Sequence, residues 1–139
     1  MRMVMRPEFE RYPDSGQWHG GPIAAAIDTV GDYALARMLG RPLPTVNFRV
    51  DYLKPAIKTS LTIVGRVRRS GKSVGVVDVD DLPRCLLLTQ SGHRRPSLIG
   101  LDAMSTVPLT VEQLQRDLSR SAFISFLGLE VIEADPSKQ

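Results

Sequence analysis

Apolar residues recur with helical spacing in the stretch that follows the first turn-rich segment. They lie at Ile23, Ile27, Val30, Ala34, Leu35 and Met38, close to an i, i+3, i+4, i+7 pattern. Gly20 and Gly21 precede them, and Pro22 suits the first turn of a helix, where its missing N–H costs nothing. A glycine and then a proline just after the last apolar position provide a stop signal. The pattern predicts one buried helix, residues 22–39, with a glycine turn at its N-terminus.

Period-two alternation predicts a set of strands after this helix. The predicted strands cover residues 45–53, 60–68, 73–80 and 84–90, with a hairpin turn at residues 69–72. Residues 2–6 also alternate, as a short strand before the helix. One helix followed by an antiparallel meander predicts an α+β fold in which the helix packs against one curved sheet.

The last third of the chain has a different pattern. Residues 91–103 are polar and turn-rich, which predicts a linker. Thr110, with Gln113 three residues later, has the spacing of a capping box and predicts a helix. The apolar side of that helix would comprise Val111, Leu114, Leu118 and Phe123. Residues 126–134 then predict a short strand, for which the strand at residues 2–6 is a candidate partner.

Composition narrows the class of protein. A chain of 139 residues predicts one domain, and 18 Lys+Arg against 15 Asp+Glu give a net charge of +3. No basic block indicates nucleic-acid binding, and no apolar run reaches membrane-spanning length. The lone Cys85 excludes an internal disulfide, and the N-terminus lacks the apolar region of a signal peptide, so a cytoplasmic protein is expected. Only one histidine lies near an acidic residue in sequence, so no metal site is expected.

The glycine turn and the first acidic residue of the helix are the candidate chemistry. The first amides of a helix have no intrahelical partner and lie at the positive end of the helix dipole, so they suit a polarised carbonyl or an oxyanion. Gly20 and Gly21 let such a ligand approach the backbone. Asp28 follows about two and a half turns later. From spacing alone, Asp28 is either a buried functional acid or a carboxylate on an exposed helix edge.

Several motifs in order carry a family resemblance. They are His19-Gly20-Gly21 with Asp28 nine residues after the histidine, Tyr52-Leu53-Lys54-Pro55-Ala56, and Arg69-Ser70-Gly71-Lys72-Ser73. Over residues 1–90, and again over 123–134, the chain resembles the hotdog-fold acyl-CoA thioesterases of the phenylacetate-degradation type. The resemblance implies a long central helix wrapped by a curved antiparallel sheet, in a single domain that spans residues 1–139.

The order of the segments differs from that family. There, the helix and strand that resemble residues 104–139 come first, and the segment that resembles residues 1–90 follows. Joining Gln139 to Arg2 reads as one uninterrupted hairpin, which indicates a circular permutation with residues 91–103 bridging the ancestral termini. A fragment of a tandem fusion and a rearranged sequence are the alternatives.

The resemblance also implies a reaction and roles for particular residues. It implies hydrolysis of an acyl-CoA thioester, with the Gly20 N–H holding the carbonyl and Asp28 acting as general base or nucleophile, usually across a dimer interface. Thr45 would help to position the water. The coenzyme A phosphates would be met by Arg69, Gly71, Lys72 and Ser73. Coenzyme A is then part of the substrate, no separate cofactor is implied, and a homodimer or homotetramer is expected.

Two positions of the motif leave room for other interpretations. His19 belongs to the candidate catalytic set, although its favoured role is to fix the turn by a hydrogen bond to a loop carbonyl. Many family members carry an asparagine six residues before the histidine, and Pro13 stands there in this chain. This departure favours an alternative, a non-catalytic acyl-CoA-binding hotdog protein. A hydratase of the same fold ranks last, because the sequence shows no aspartate–histidine pair at the required spacing.

Overall fold

The computed structural model describes residues 1–71, 73–82, 86–93 and 110–133, with the backbone alone for residues 81–82 and 86–93. The helices are α1 (Gly20–Leu39), α2 (Val111–Leu118) and α3 (Ala122–Leu127), and a short 3-10 turn covers Pro7–Phe9. The strands are β1 (Arg2–Met3), β2 (Thr45–Tyr52), β3 (Leu61–Ser70), β4 (Val74–Leu82) and β5 (Leu86–His93). Helix α1 packs against the sheet, so the predicted α+β class is confirmed.

Helix α1 begins two residues before the predicted boundary. His19 is the N-cap residue, so both Gly20 and Gly21 are helical instead of forming a separate turn. The predicted end at Leu39 is confirmed, because Gly40 follows with a left-handed backbone, φ +64°. Met38 was expected on the buried face but is 42% exposed, since it lies in the last turn.

The sheet is antiparallel, with the strand order β1-β3-β4-β5-β2. Strands β3, β4 and β5 form the predicted meander. Strand β2 does not join it beside β3, as chain order would suggest, but pairs with β5 at one end of the sheet. In this position β2 lies alongside α1. The first and last residues of β2 contact two different parts of the helix.

Two glycines of the sheet explain how closely the helix approaches it. Gly65 pairs with Val79 inside β3 and does not interrupt the strand. A Cβ added at Gly65 would lie 3.2 Å from side-chain atoms of Val30 and Ala34, and one at Gly75 would lie 2.8 Å from methyl groups of Leu35. The helix therefore packs so closely on the sheet that these two positions have no room for a side chain. Fully buried side chains such as Ile27 fill the core around them.

Strand β1 meets the segment that follows α3 in the described part of the chain. Residues Arg2 and Glu130 form a single antiparallel bridge, with N–H···O distances of 2.7 and 2.9 Å. The expected strand at residues 126–134 is wrong over the described residues: Phe126 and Leu127 end α3, Gly128 caps it, and Glu130 pairs only as an isolated bridge. The permuted order of the segments stays a prediction, and residues 134–139 lie outside the description.

Other parts of the tail also differ from expectation. The capping box is confirmed, because the Thr110 hydroxyl accepts from the Gln113 N–H and the Gln113 side chain accepts from the Thr110 N–H. The predicted single helix divides into α2 and α3, with Phe123 in the second. The predicted linker begins too early, because β5 continues to His93. Across the described ranges, no helix combines the length and apolar character needed to span a membrane.

Candidate active site

The turn at the N-terminus of α1 is held by His19. Its backbone is extended (φ −73°, ψ 141°), and its N–H donates to the Phe9 carbonyl at 2.8 Å. Its Nδ1 accepts from the Gly21 N–H at 3.0 Å and so caps the helix. The histidine side chain thus fixes the turn by accepting from the Gly21 N–H, whereas the sequence suggested that it would bond to a loop carbonyl. Gly20 is the first helical residue, a position whose N–H has no intrahelical acceptor.

Tyr52, the last residue of β2, contacts the same turn from the other side. Its hydroxyl donates to the Gly20 carbonyl at 2.8 Å. A Cβ added at Gly20 would lie 3.1 to 3.4 Å from the hydroxyl and ring atoms of Tyr52, so the ring lies directly against this glycine. Partial burial raises the pKa of the Tyr52 hydroxyl. The sequence motif included Tyr52 but gave no indication of this contact.

Two carboxylates of α1 share one hydroxyl of β2. Thr45 Oγ1 lies 2.8 Å from Asp28 Oδ1 and 3.1 Å from Asp32 Oδ1. A hydroxyl has one hydrogen, so the two acids share it or alternate as acceptors. The arrangement brings together Asp28 and Thr45, as the resemblance implied. It also adds Asp32, which is one helical turn further on.

Asp32 is a functional candidate that the sequence analysis did not select. The pKa of Asp32 is raised to about 6. Burial is the largest cause, the hydrogen bond from Thr45 opposes it, and the negative charge of Asp28 adds to it. The i, i+4 spacing of the two aspartates was the available signal, since such residues lie on one face of a helix.

A β-bulge explains how one strand contacts both parts of the helix. Thr45 and Tyr52 are seven residues apart, so regular alternation would put them on opposite faces of the sheet. The register shifts between Thr45 and Asn47, where β2 holds one more residue than β5. The extra residue shifts the alternation of side chains by one position, so the side chains of Thr45 and Tyr52 both point towards α1.

The Gly20 N–H, which would bind the substrate carbonyl, lies far from Asp28 within one chain. Eight residues separate Gly20 from Asp28, which is about 12 Å along a helix axis and about 80° around it. A thioester carbonyl and its attacking water require groups only about 3 Å from the reacting atoms. The chain therefore presents two candidate half-sites, one at the N-terminus of α1 and one in its middle.

The predicted coenzyme A region forms a separate, open cleft of about 480 Å³ near the β3–β4 turn. It is lined by Arg69, Gly71, Ser73, Val74 and Val76. The Gly71 N–H donates to the Val74 carbonyl at 3.0 Å, which closes the turn. Three of the four predicted phosphate-binding residues thus line one cleft, and the fourth, Lys72, lies outside the described residues.

The remaining candidates have simpler roles. Trp18 is buried, its ring stacks on Phe9 with centroids 5.7 Å apart, and its Nε1 donates to the Thr59 carbonyl. Pro13 is exposed. Within the described part of the chain, no three His, Cys, Asp or Glu side chains are grouped to hold a metal ion. Cys85 is outside that part.

The fold is that of a class, the hotdog domains, and comparisons with known proteins agree. The profile of the thioesterase superfamily matches residues 15–80. A crystal structure of a thioesterase-superfamily protein is 31% identical, covering 68% of this chain and 74% of that chain, with a TM-score of 0.58. The chain therefore belongs to the thioesterase superfamily.

Other relatives resemble parts of the chain. Candidate esterases of Halobacterium salinarum and Saccharolobus solfataricus are 37% and 34% identical over 48% and 54% of this chain. The chain spans about half the length of these curated relatives, 46% and 53%.

Two further structures share the fold alone, given their low identity. One is the BH2602 protein of Bacillus halodurans, solved with CoA, at 24% identity and a TM-score of 0.56, covering 66% of each chain. The other is the E. coli PaaI protein of the phenylacetic acid degradation operon, at 23% identity and a TM-score of 0.55. It covers 67% of this chain and 72% of PaaI.

Proposed function

We propose that this protein is an acyl-CoA thioesterase, which hydrolyses a thioester to a carboxylic acid and free coenzyme A. The observation that carries the proposal is the half-buried Asp28, held by Thr45 at 2.8 Å, on the same helix whose first turn presents the Gly20 amide. A carboxylate beside a hydroxyl can activate water, and an unbonded helical N–H can stabilise the charge that develops on a carbonyl oxygen.

The reaction divides between these two half-sites. The Gly20 N–H, together with the helix dipole, stabilises the oxyanion that forms when the thioester carbonyl is attacked. In one route, Asp28 takes a proton from water, the hydroxide adds to the carbonyl, and the C–S bond breaks to release the thiolate of coenzyme A. In the other route, Asp28 attacks directly, the thiolate leaves, and water opens the resulting anhydride. Thr45 orients the carboxylate, or the water, in both.

A second copy of the chain supplies the missing half of each site. The separation of about 12 Å between Gly20 and Asp28 requires the two groups to come from different protomers. Within the described sheet, β2 is an eight-residue edge strand that carries the exposed apolar side chains Val46 and Phe48. An edge of this kind pairs readily with another strand. A homodimer joined along β2, or a homotetramer of such dimers, would place Gly20 of one protomer opposite Asp28 of its partner.

The cleft at Arg69, Gly71 and Ser73 is the proposed place for the coenzyme A phosphates. A guanidinium group suits phosphate, and glycine allows close approach of the backbone. The CoA bound to the Bacillus halodurans protein of the same fold supports this class of ligand. The acyl group would be aromatic, as the phenylacetate-type resemblance suggests, or a short-to-medium aliphatic chain.

The test is thiol release from a panel of aromatic and aliphatic acyl-CoA esters, with binding of each ester measured by calorimetry. Turnover of at least one ester, with equal amounts of thiol and acid, is the expected result. Binding without turnover would instead favour the non-catalytic acyl-CoA-binding protein, the alternative suggested by Pro13. If the protein neither binds nor hydrolyses any of these esters, both proposed functions are overturned.

A further inference from the structure

We infer that Tyr52 is a positioning residue that holds the Gly20–Gly21 peptide in the orientation needed for the carbonyl-binding turn. The inference rests on the proposed function for its catalytic consequence, and on the geometry of the turn for the contact itself. No part of the motif resemblance assigns a role to this hydroxyl.

The Gly20–Gly21 peptide group is held at both of its polar ends. Its carbonyl oxygen accepts from the Tyr52 hydroxyl at 2.8 Å, and its N–H donates to His19 Nδ1 at 3.0 Å. The preceding residue is anchored as well, because the His19 N–H donates to Phe9. The peptide groups on both sides of the His19–Gly20 peptide are therefore held, and this restricts rotation of the peptide plane that carries the Gly20 N–H.

The ring of Tyr52 adds a steric restraint to this hydrogen bond. It lies so close to Gly20 that an added Cβ would approach within 3.1 Å of the hydroxyl oxygen and 3.2 Å of the neighbouring ring carbon. Tyr52 is 52% exposed in the single chain, although its hydroxyl end contacts Gly20. Tyr52 therefore restrains the turn by steric contact as well as by its hydrogen bond.

Strand β2 carries the restraints on both half-sites. Its first residue, Thr45, holds Asp28, and its last residue, Tyr52, holds Gly20. The bulge near Asn47 is what lets both side chains face α1. One strand therefore sets the position of the acid and of the amide donor along the same helix, and these two groups serve different sites in the proposed dimer.

The test is Tyr52→Phe, which keeps the ring and removes the hydroxyl, with Tyr12→Phe as a control at an exposed tyrosine of the preceding loop. Loss of one hydrogen bond should lower kcat roughly threefold to tenfold and leave KM nearly unchanged, since the orientation of the amide matters most in the transition state. Exchange of the Gly21 amide hydrogen with solvent, followed by NMR, should become faster in the same variant.

These two measurements have separable outcomes. Faster Gly21 exchange with a lower kcat supports the inference. Unchanged exchange, or an unchanged kcat, overturns it. If the wild-type protein hydrolyses no thioester, the proposed function fails, and the exchange of Gly21 alone then decides whether Tyr52 holds the turn. The Tyr12→Phe control should match the wild type in both measurements.

Discussion

A mixture of two inactive variants should recover activity if each site is built from two protomers. One variant is Asp28→Asn, which removes the base. The other is Gly20→Pro, which removes the N–H at the first helical position. Proline is well tolerated there, and the extended backbone of His19 (ψ 141°) is the conformation that a following proline requires. Each variant alone should be nearly inactive.

The expected recovery follows from counting sites. Random pairing of equal amounts makes half of the dimers mixed. In each mixed dimer, one site combines both defects, while the other combines an intact Gly20 with an intact Asp28. Co-expression should therefore give about 25% of the wild-type rate per protomer. If instead both groups act within one protomer, every site keeps one defect and the mixture stays inactive.

The assay is thiol release by the co-expressed, doubly tagged protein, with mass spectrometry to establish that mixed dimers are present. Gly20→Ala is the matched control, because its Cβ meets Tyr52 as the proline ring does, but the N–H remains. It should keep most of the activity. Mixed dimers that show no more activity than either parent would refute the two-protomer site.

Three further changes test other contacts of the site and core. Thr45→Val should lower kcat about tenfold or more, because a hydrogen bond to the charged Asp28 is lost, and Thr45→Ser should restore it; a wild-type rate for the valine variant would contradict this. Asp32 has a raised pKa of about 6, so its charge destabilises the fold above that pH and the penalty disappears as pH falls towards 4. Asp32→Asn should therefore raise the free energy of unfolding at pH 8 by on the order of 1 kcal/mol, after allowance for solvent screening, and should have little effect at pH 4; an equal effect at both pH values would refute the cause. Gly65→Ala should lower the free energy of unfolding by about 1–3 kcal/mol through overpacking against α1, while Ser70→Ala at the exposed end of β3 should not. Chemical denaturation measures both variants, and equal stability of the two would contradict the prediction.

Local sequence patterns were sufficient to predict the helix and most strands. The apolar spacing, the glycine stop and the capping box at Thr110 act over a few residues, and each is present in the structure. The position of β2 was not predictable in this way. Its pairing with β5 depends on contacts between residues more than thirty positions apart, which no local periodicity records.

The sequence identified candidate residues for the site but not the contacts between them. The motif pointed to His19, Gly20 and Asp28, because a helix N-terminus and an acid in an apolar stretch have recognisable chemistry. The contacts of Tyr52 and Asp32 depend on the bulge in β2, which changes the face of one strand by a single extra residue. Such an irregularity leaves no clear signal in a single sequence.

The most direct test of the central claim is the kcat of Asp28→Asn for the best acyl-CoA substrate. Asp117→Asn, at an exposed carboxylate of α2, is the control for the same chemical change. The account predicts that Asp28→Asn still binds the ester but loses turnover by at least roughly a hundredfold, while Asp117→Asn retains the wild-type rate. A wild-type rate in Asp28→Asn would contradict the assignment of Asp28 as the acid that drives thioester hydrolysis.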